Sequence, residues 1–331
     1  MATEEELVRA IKKLLSGEAP GVVVPIGDDA AVVEPGEHQL VITVDTLVEG
    51  VHFDPDVTQP SDLGYKAVVV NVSDVAAMGG SPRYAVISLG VPPDTRPAWV
   101  IEVYGGMREA AEDYGLALVG GDTVRASECV LTVTVLGTVA KGRAVTRSGA
   151  RPGDRIVVTG ALGAAAGGLR LVRGRETDTR RAVMTDWGRQ LVGALDRPAA
   201  RVGEGETLAQ AGASSMIDVS DGLALDLSRV CEASEVGARV VLADVPVSPL
   251  LDELASAAGV EPLDLALHGG EDYELVATLA PEAFEAASRK LLDRFGTRLT
   301  DIGEITETGF VAVGEDGAER PLEAKGWDHF G

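Results

Sequence analysis

Cysteine is nearly absent from this sequence: Cys129 and Cys231 are the only two in 331 residues, and neither belongs to a CxxC pair. A disulfide framework and a zinc knot are therefore not expected, and a reducing cytoplasm fits best. Cationic residues are scarce as well, 29 Lys and Arg against 52 Asp and Glu, for a formal net charge of -23. A surface that binds DNA or RNA must neutralise phosphates with clustered basic side chains, so nucleic acid is not an expected partner. No uninterrupted apolar run is long enough to cross a bilayer, so no membrane partner is expected either. The chain also lacks a Walker A loop, any GxGxxG and any GxSxG. None of the four histidines pairs with another at the spacing of a helical zinc site, so the zinc and serine-hydrolase readings fall back.

What the sequence does have is length and alternation. A chain of 331 residues exceeds what one hydrophobic core usually supports, and 45% hydrophobic residues leave no shortage of core material. Strand-length apolar runs alternate with helical patterns. They run through HQLVITVD, SDLGYKAVVVNVSDVAAM, RYAVISLGV, PAWVIEVYGGMREAAEDYG, LALVGG and CVLTVTVLGTVA. A turn-rich stretch, KGRAVTRSGARPGDR at 141–155, precedes a fresh strand, IVVTG. The second half repeats the pattern with SSMIDVS, a helix beginning near Asp221, ARVVLADV, YELVATLA, the helix PEAFEAASRKLLDRF and TRLTDIGEIT. The expected fold is α/β in two lobes, each a mixed sheet with helices packed on it, divided as residues 1–148 and 149–331. The opening MATEEELVRAIKKLL reads as an amphipathic helix with Leu7, Ile11 and Leu14 on one side. The charged segment 174–198 reads as a surface helix with flanking loops rather than a mobile excursion.

The chemistry is concentrated in acids expected where apolar runs give way to turns: Asp28 and Asp29, Asp45, Asp122, and Asp218 with Asp221. Asp74 is different, since it sits inside an apolar helix-like stretch where a bare carboxylate is costly. Carboxylates at the carboxyl ends of strands can converge on one crevice, and hard oxygen ligands suit Mg²⁺ held with phosphates. Taken singly, each has a structural alternative: Asp221 before Gly222 reads first as a helix N-cap, and Asp28 and Asp29 as turn residues beside Gly27. GALGAAAGGL at 160–169 could present N–H groups to an anion, although close helix-to-strand packing is the commoner use of such glycines. His52 and Glu271 lie in glycine-punctuated loops that could touch a substrate or be satisfied structurally. From composition, Trp327 is expected to seal the C-terminus against the core.

Read in order, IGDDAAVV, TVDTLVEGVHF, NVSDVAAMGG, GGDT, TRSGARPGD, VTGALGAAAGGL, IDVSDGLALDLSRV, LHGGEDYELV, IGEIT and KGWDHF resemble the thiamine-monophosphate kinase family, within a superfamily that includes aminoimidazole ribonucleotide synthetase. The resemblance spans essentially the whole chain. It implies two α/β lobes, the first binding ATP and Mg²⁺ and forming a homodimer, the second completing the nucleotide and substrate site. It implies ATP-dependent phosphorylation of thiamine monophosphate to thiamine diphosphate, with several Mg²⁺ ions and no P-loop. By that resemblance Asp29, Thr43, Asp45, Asp74, Asp122, Asp218 and Asp221 look like magnesium ligands, with Asp45, Asp74, Asp122 and Asp218 the catalytic set. Tyr104, Gly121, Asp122, Arg147 and Ser220 look like ATP contacts, and His52, Glu271 and Trp327 match substrate positions. The family often has a hydroxyl residue where Val44 stands, so Val44 is given no side-chain role. A selenophosphate synthetase would carry a reactive residue near the start, and the related hydrogenase factor ends in cysteine; this chain does neither. From the residues alone, a Mg²⁺-dependent phosphohydrolase and a non-catalytic acidic cation-binding protein remain open, as does another ATP-using synthetase of the superfamily.

Overall fold

The computed structural model describes residues 13, 22–24, 32–33, 36–174 and 182–327. The expected N-terminal amphipathic helix, Asp28 and Asp29 lie outside the described residues apart from Lys13. Two compact units emerge, Met1–Val75 with Gly80–Gly142, and Ala76–Gly79 with Arg143–Gly331. The division thus falls inside the turn-rich stretch 141–155, slightly ahead of position 148.

In the first unit, β1 (Val22–Val24) and β2 (Val32–Val33) pair antiparallel. The main sheet is built from β3 (His38–Val48), β4 (Ser81–Val91), β5 (Ala117–Arg125) and β6 (Val130–Ala140), in the order β3-β6-β4-β5. It is mixed: β6 pairs antiparallel with β3 and β4, while β4 and β5 run parallel. Two helices, α1 (Pro60–Ala77) and α2 (Pro97–Tyr114), carry the apolar residues that cover it. Along β6, Leu131, Val133 and Val135 are fully buried while Thr132, Thr134 and Leu136 are not, the period-2 alternation of a sheet with one covered face. On β3 the same alternation leaves Leu40, Ile42 and Val44, which pair with Thr138, Leu136 and Thr134 on the other face, exposed at 44%, 65% and 58%.

The two helices cross at a pair of reciprocal glycines. A Cβ on Gly64 would lie 1.9 Å from the Val103 carbonyl oxygen, and one on Gly106 would lie 1.7 Å from that of Ser61. Only hydrogen at both positions lets the backbones touch.

The second unit has a seven-stranded sheet made of β7 (Arg155–Thr159), β8 (Ser215–Asp218), β9 (Gly237–Val241), β10 (Leu275–Leu279), β11 (Leu299–Thr306), β12 (Phe310–Val313) and β13 (Glu319–Pro321). Their order is β13-β12-β9-β11-β7-β10-β8, with only β9 and β12 parallel. Helices α3 (Ala164–Arg173), α4 (Asp186–Asp196), α5 (Val202–Ala211), α6 (Leu223–Ser234), α7 (Leu251–Ala258), α8 (Pro262–His268) and α9 (Pro281–Phe295) complete it. One core gathers Ile156, Val158, Ile217, Leu227, Val240 and Ile302; a second gathers Val157, Met216, Leu275, Leu279 and Leu291. Residues 157 and 158 therefore serve opposite faces of β7, so both faces of this sheet are covered. The expected helix in segment 174–198 is α4, capped by Thr185, whose hydroxyl accepts from the Gly188 N–H at 3.0 Å.

Candidate active site

Asp45 and Asp122 do not stand at strand ends. Strand β3 continues three residues past Asp45 to Val48 because β6 is long enough to pair all of it, and β5 continues past Asp122 to Arg125 because β4 pairs it that far. Asp45 is thus an acid within the sheet, two positions from Thr43 on the same side of β3. That side is the one α1 covers, since the Thr43 hydroxyl donates to Asp74 Oδ2 at 2.5 Å. Asp74 is the part-exposed position in an otherwise buried run, Leu63 to Ala77. A Thr hydroxyl, the Asp74 carboxylate and Asp45 nearby on the same face form a set of hard oxygen donors, the chemistry Mg²⁺ prefers.

Tyr104 lies on α2 and is buried. Burial pushes its hydroxyl up to about 12, the Thr123 side chain opposes the rise by hydrogen bonding, and the Asp122 charge adds to it. Tyr104 thus sits at the Asp122–Thr123 segment as a protonated hydroxyl. Gly121 lies against β4: a Cβ there would be 2.0 Å from the Ile87 carbonyl oxygen. Asp122 is paired with Ser88, exposed between buried Ile87 and Leu89, and accepts from the Thr123 N–H at 2.9 Å. That register puts it on a different side of the sheet from Thr43 and Asp45. His52 follows β3 in a tight turn in which the Val48 N–H donates to Nδ1 at 3.0 Å, so the neutral ring carries its proton on Nε2.

In the second unit, Asp218 ends β8 as expected and is buried. Its register partner is Leu275, whose N–H is held by the Thr159 hydroxyl at 2.8 Å, so the ends of β7 and β8 and the start of β10 share one sheet edge. Loops 160–163, 219–222 and 268–274 meet there. Backbone bonds lock the last two together: Glu271 N–H to Ser220 O at 2.8 Å, Tyr273 N–H to Val219 O at 2.9 Å, and Val219 N–H to Glu274 O at 2.8 Å. A Cβ on Gly270 would stand 2.3 Å from Ser220 O, so glycine is required for this stacking. Glu271 and Tyr273 both adopt left-handed backbone, φ 69° and 51°, strain of the kind that collects at functional loops.

Asp221 is not an N-cap. The helix begins at Leu223 after Gly222, and the Asp221 carboxylate instead pairs with Arg229 at 2.7 Å. The acid that accepts the N–H groups ahead of α6 is Asp226, which the sequence reading passed over; its only signal was a carboxylate in the apolar helix pattern LALDLSRV. The glycines of 160–169 pack α3 on a helix rather than on a strand: a Cβ on Gly168 would lie 2.2 Å from the Leu191 carbonyl oxygen in α4. The anion at the start of α3 is internal, since Asp272 accepts from the Gly163 N–H at 2.7 Å and the Ala165 N–H at 3.3 Å. Trp327 does not seal the core. It is 41% exposed, and its N–H donates to Asp221 O at 3.0 Å, which brings the C-terminal segment onto the 219–222 loop.

Arg147 is placed elsewhere in this unit. Its carbonyl accepts from the Ser234 hydroxyl at the far end of α6, so about 18 Å of helix separates its backbone from the Asp221 end. Its side chain is exposed. Among the described residues no three His, Cys, Asp or Glu side chains are gathered as a metal group. A cavity of about 710 Å³ in this unit, lined in part by Leu242, Val245, Leu263 and Arg298, contains none of the expected residues.

Burial pushes Asp272 up to about 7, against the two N–H donors and with the charges of Glu274 and Glu271 adding to the rise. The native state then holds this proton longer than the unfolded chain, whose carboxyl titrates near 4. Its contribution to stability is full below about pH 4 and is lost as pH rises towards 7. Relative to Asp272→Asn, the parent's urea midpoint is expected to decline across that window; parallel profiles would remove Asp272 as the source.

Known proteins share this architecture and sequence. The chain matches the AIR synthase related protein N-terminal domain over residues 27–139 and the C-terminal domain over 151–315. It is 41% identical over 311 residues to thiamine-monophosphate kinase of Escherichia coli strain K12, covering 92% of this chain and 91% of that one. A crystal structure of thiamine-monophosphate kinase from Stenotrophomonas maltophilia K279a is similar with TM-score 0.81 and 38% identity, over 95% of each chain. A structure of AaThiL complexed with AMPPCP and TMP is similar with TM-score 0.78 and 33% identity, over 100% of this chain and 99% of that one.

Proposed function

From the premise that this chain belongs to the thiamine-monophosphate kinase family, we propose how its residues carry out the reaction: direct transfer, with Mg²⁺ held by its aspartates. The protein phosphorylates thiamine monophosphate with ATP, giving thiamine diphosphate and ADP. The observation that carries the proposal is the Thr43–Asp74 contact, with Asp45 two positions from Thr43 on the same side of β3, a group of oxygen donors only.

The acceptor is itself a phosphate, ionised near neutral pH, so no strong base is needed to make a nucleophile. The obstacle is charge. At an effective dielectric near 20, each unit pair of like charges at about 4 Å repels by roughly 4 kcal/mol. Bound Mg²⁺ supplies charge neutralisation and alignment of the phosphate oxygens. In the first unit Thr43, Asp45 and Asp74, together with Asp29, are residues that would hold it, while Asp122, on the other side of that sheet, would hold a separate ion; in the second unit Asp218 and Asp221 are the residues that would do so. Tyr104, Gly121 and Asp122 in the first unit would contact ATP, as would Ser220 in the second; Arg147, expected beside them, stands at the far end of α6 from Ser220. For the acceptor, His52 donates from Nε2, Glu271 is aimed by its left-handed backbone, and exposed Trp327 offers an aromatic face. This division explains how an acidic chain handles two anionic substrates: carboxylates recruit the cation, and the cation recruits phosphates.

The first unit is also proposed to form a homodimer, through the exposed face of Leu40, Ile42 and Val44, a contiguous apolar strip of the kind that marks an interface. A cytoplasmic setting is in keeping with two free, buried cysteines and with the absence, among the described residues, of any helix long and apolar enough to cross a membrane. Metal removal tests the core of the proposal. Chelator-treated protein is expected to lose thiamine diphosphate formation and to regain it on adding Mg²⁺, with no phosphate retained on the protein from ATP alone. Full turnover after chelation, or a stable phosphoprotein, contradicts it.

A further inference from the structure

We propose that Asp226 and Arg229 are positioning residues that set the Asp221 carboxylate for a divalent cation; this rests on the reading of Asp221 as a magnesium ligand. Asp226 is fully buried in the first turn of α6. Its Oδ2 accepts the N–H groups of Ser220, Asp221 and Gly222, at 3.1, 3.0 and 3.1 Å. Three successive N–H groups converging on one point make a nest of the sort that binds phosphate in other proteins. Here the chain's own carboxylate fills it. The 220–222 loop therefore does not meet a phosphate through these N–H groups, and what it presents is the Asp221 side chain.

That side chain is held at both ends. Its backbone donates to Asp226 and accepts from the Trp327 N–H at 3.0 Å. Its Oδ2 is held by Arg229 Nη1 at 2.7 Å, and the same nitrogen reaches Asp226 Oδ1 at 2.6 Å. With the main chain and one carboxylate oxygen fixed, the direction of Oδ1 is fixed as well. Mg²⁺ demands near-ideal octahedral geometry, so a ligand oriented before binding loses less freedom when the ion arrives. Arg229 performs this role although its charge alone opposes cation binding, and the opposition makes the idea testable. If Arg229 acted only as a nearby positive charge, removing it would tighten metal binding. If it positions Asp221, removing it weakens binding.

The test is calorimetric titration of the full chain with Mn²⁺ alone, beside the Mg²⁺ dependence of turnover and thermal melting, for Asp221→Asn, Asp226→Asn, Arg229→Met and Arg229→Lys. Arg229 is one-third exposed, so its variants keep the question open to measurement if Asp226→Asn does not fold. Arg229→Met is expected to weaken Mn²⁺ binding about tenfold and to raise the Mg²⁺ requirement similarly, with kcat largely recovered at saturating Mg²⁺ and an unchanged melting temperature. Arg229→Lys should restore part of the loss. Mn²⁺ binding in Arg229→Met that equals or exceeds the parent's, while Asp221→Asn weakens it, overturns the positioning role alone. Unchanged binding in Asp221→Asn removes Asp221 as a ligand and the proposal with it.

Discussion

Asp74→Asn is expected to lower turnover by about 10²–10³-fold while the protein remains folded, and Asp45→Asn is expected to do the same. The magnitude follows from removing one charged metal contact, several kcal/mol of transition-state stabilisation, at 1.36 kcal/mol for each factor of ten. The fold should survive because asparagine keeps an oxygen that accepts the Thr43 hydroxyl now bonded to Asp74 at 2.5 Å. Asp74 is also the part-exposed member of a buried helical run, so neutralising it lightens rather than adds to the cost of burial. The measurement is kcat at saturating Mg²⁺, ATP and thiamine monophosphate, with circular dichroism and melting as controls. Turnover within a few-fold of the parent would remove these acids from the metal site.

The second large effect is on stability and comes from two adjacent glycines of α2 with opposite surroundings. Gly106 faces α1 with the Ser61 carbonyl oxygen 1.7 Å from where a Cβ would stand, whereas Gly105 has no atom within 4 Å of its own. Gly106→Ala must push two buried helices apart, at a cost of about 3 kcal/mol or more. Gly105→Ala meets nothing and should stabilise the helix by up to about 1 kcal/mol, the difference in helix propensity. The consequence reaches the chemistry, since α1 carries Asp74 and α2 carries Tyr104. Denaturant titration of the two variants checks this: opposite signs are expected, and equal small shifts would mean the helices do not cross in contact.

Much of the fold was legible because it is written in period. HQLVITVD, CVLTVTVLGTVA and IVVTG each became strands, and PAWVIEVYGGMREAAEDYG and PEAFEAASRKLLDRF became α2 and α9. Periodicity was a poorer guide to where strands stop. Asp45 and Asp122 looked terminal because a charge interrupts an apolar run, yet pairing with a long neighbour carries both strands onward. Strand ARVVLADV also stops early, at Val241, where a 3-10 turn, Leu242–Asp244, takes over. The site was legible as a set of acids and not as a geometry. Asp226 and Asp272 escaped notice because their partners are backbone N–H groups of other loops, and a sequence does not display which N–H groups a loop turns inward. Asp221 misled for the related reason that Asp–Gly before a leucine-rich helix is the ordinary mark of a cap, while here a second acid five residues on accepts the N–H groups of the loop that precedes the helix.

One measurement bears on the whole account. Protein incubated with ATP, Mg²⁺ and thiamine monophosphate is analysed for ADP, thiamine diphosphate and inorganic phosphate. ADP and thiamine diphosphate should appear in equal amounts, with no free phosphate beyond background. Phosphate released without thiamine diphosphate, or no nucleotide turnover at all, would contradict it.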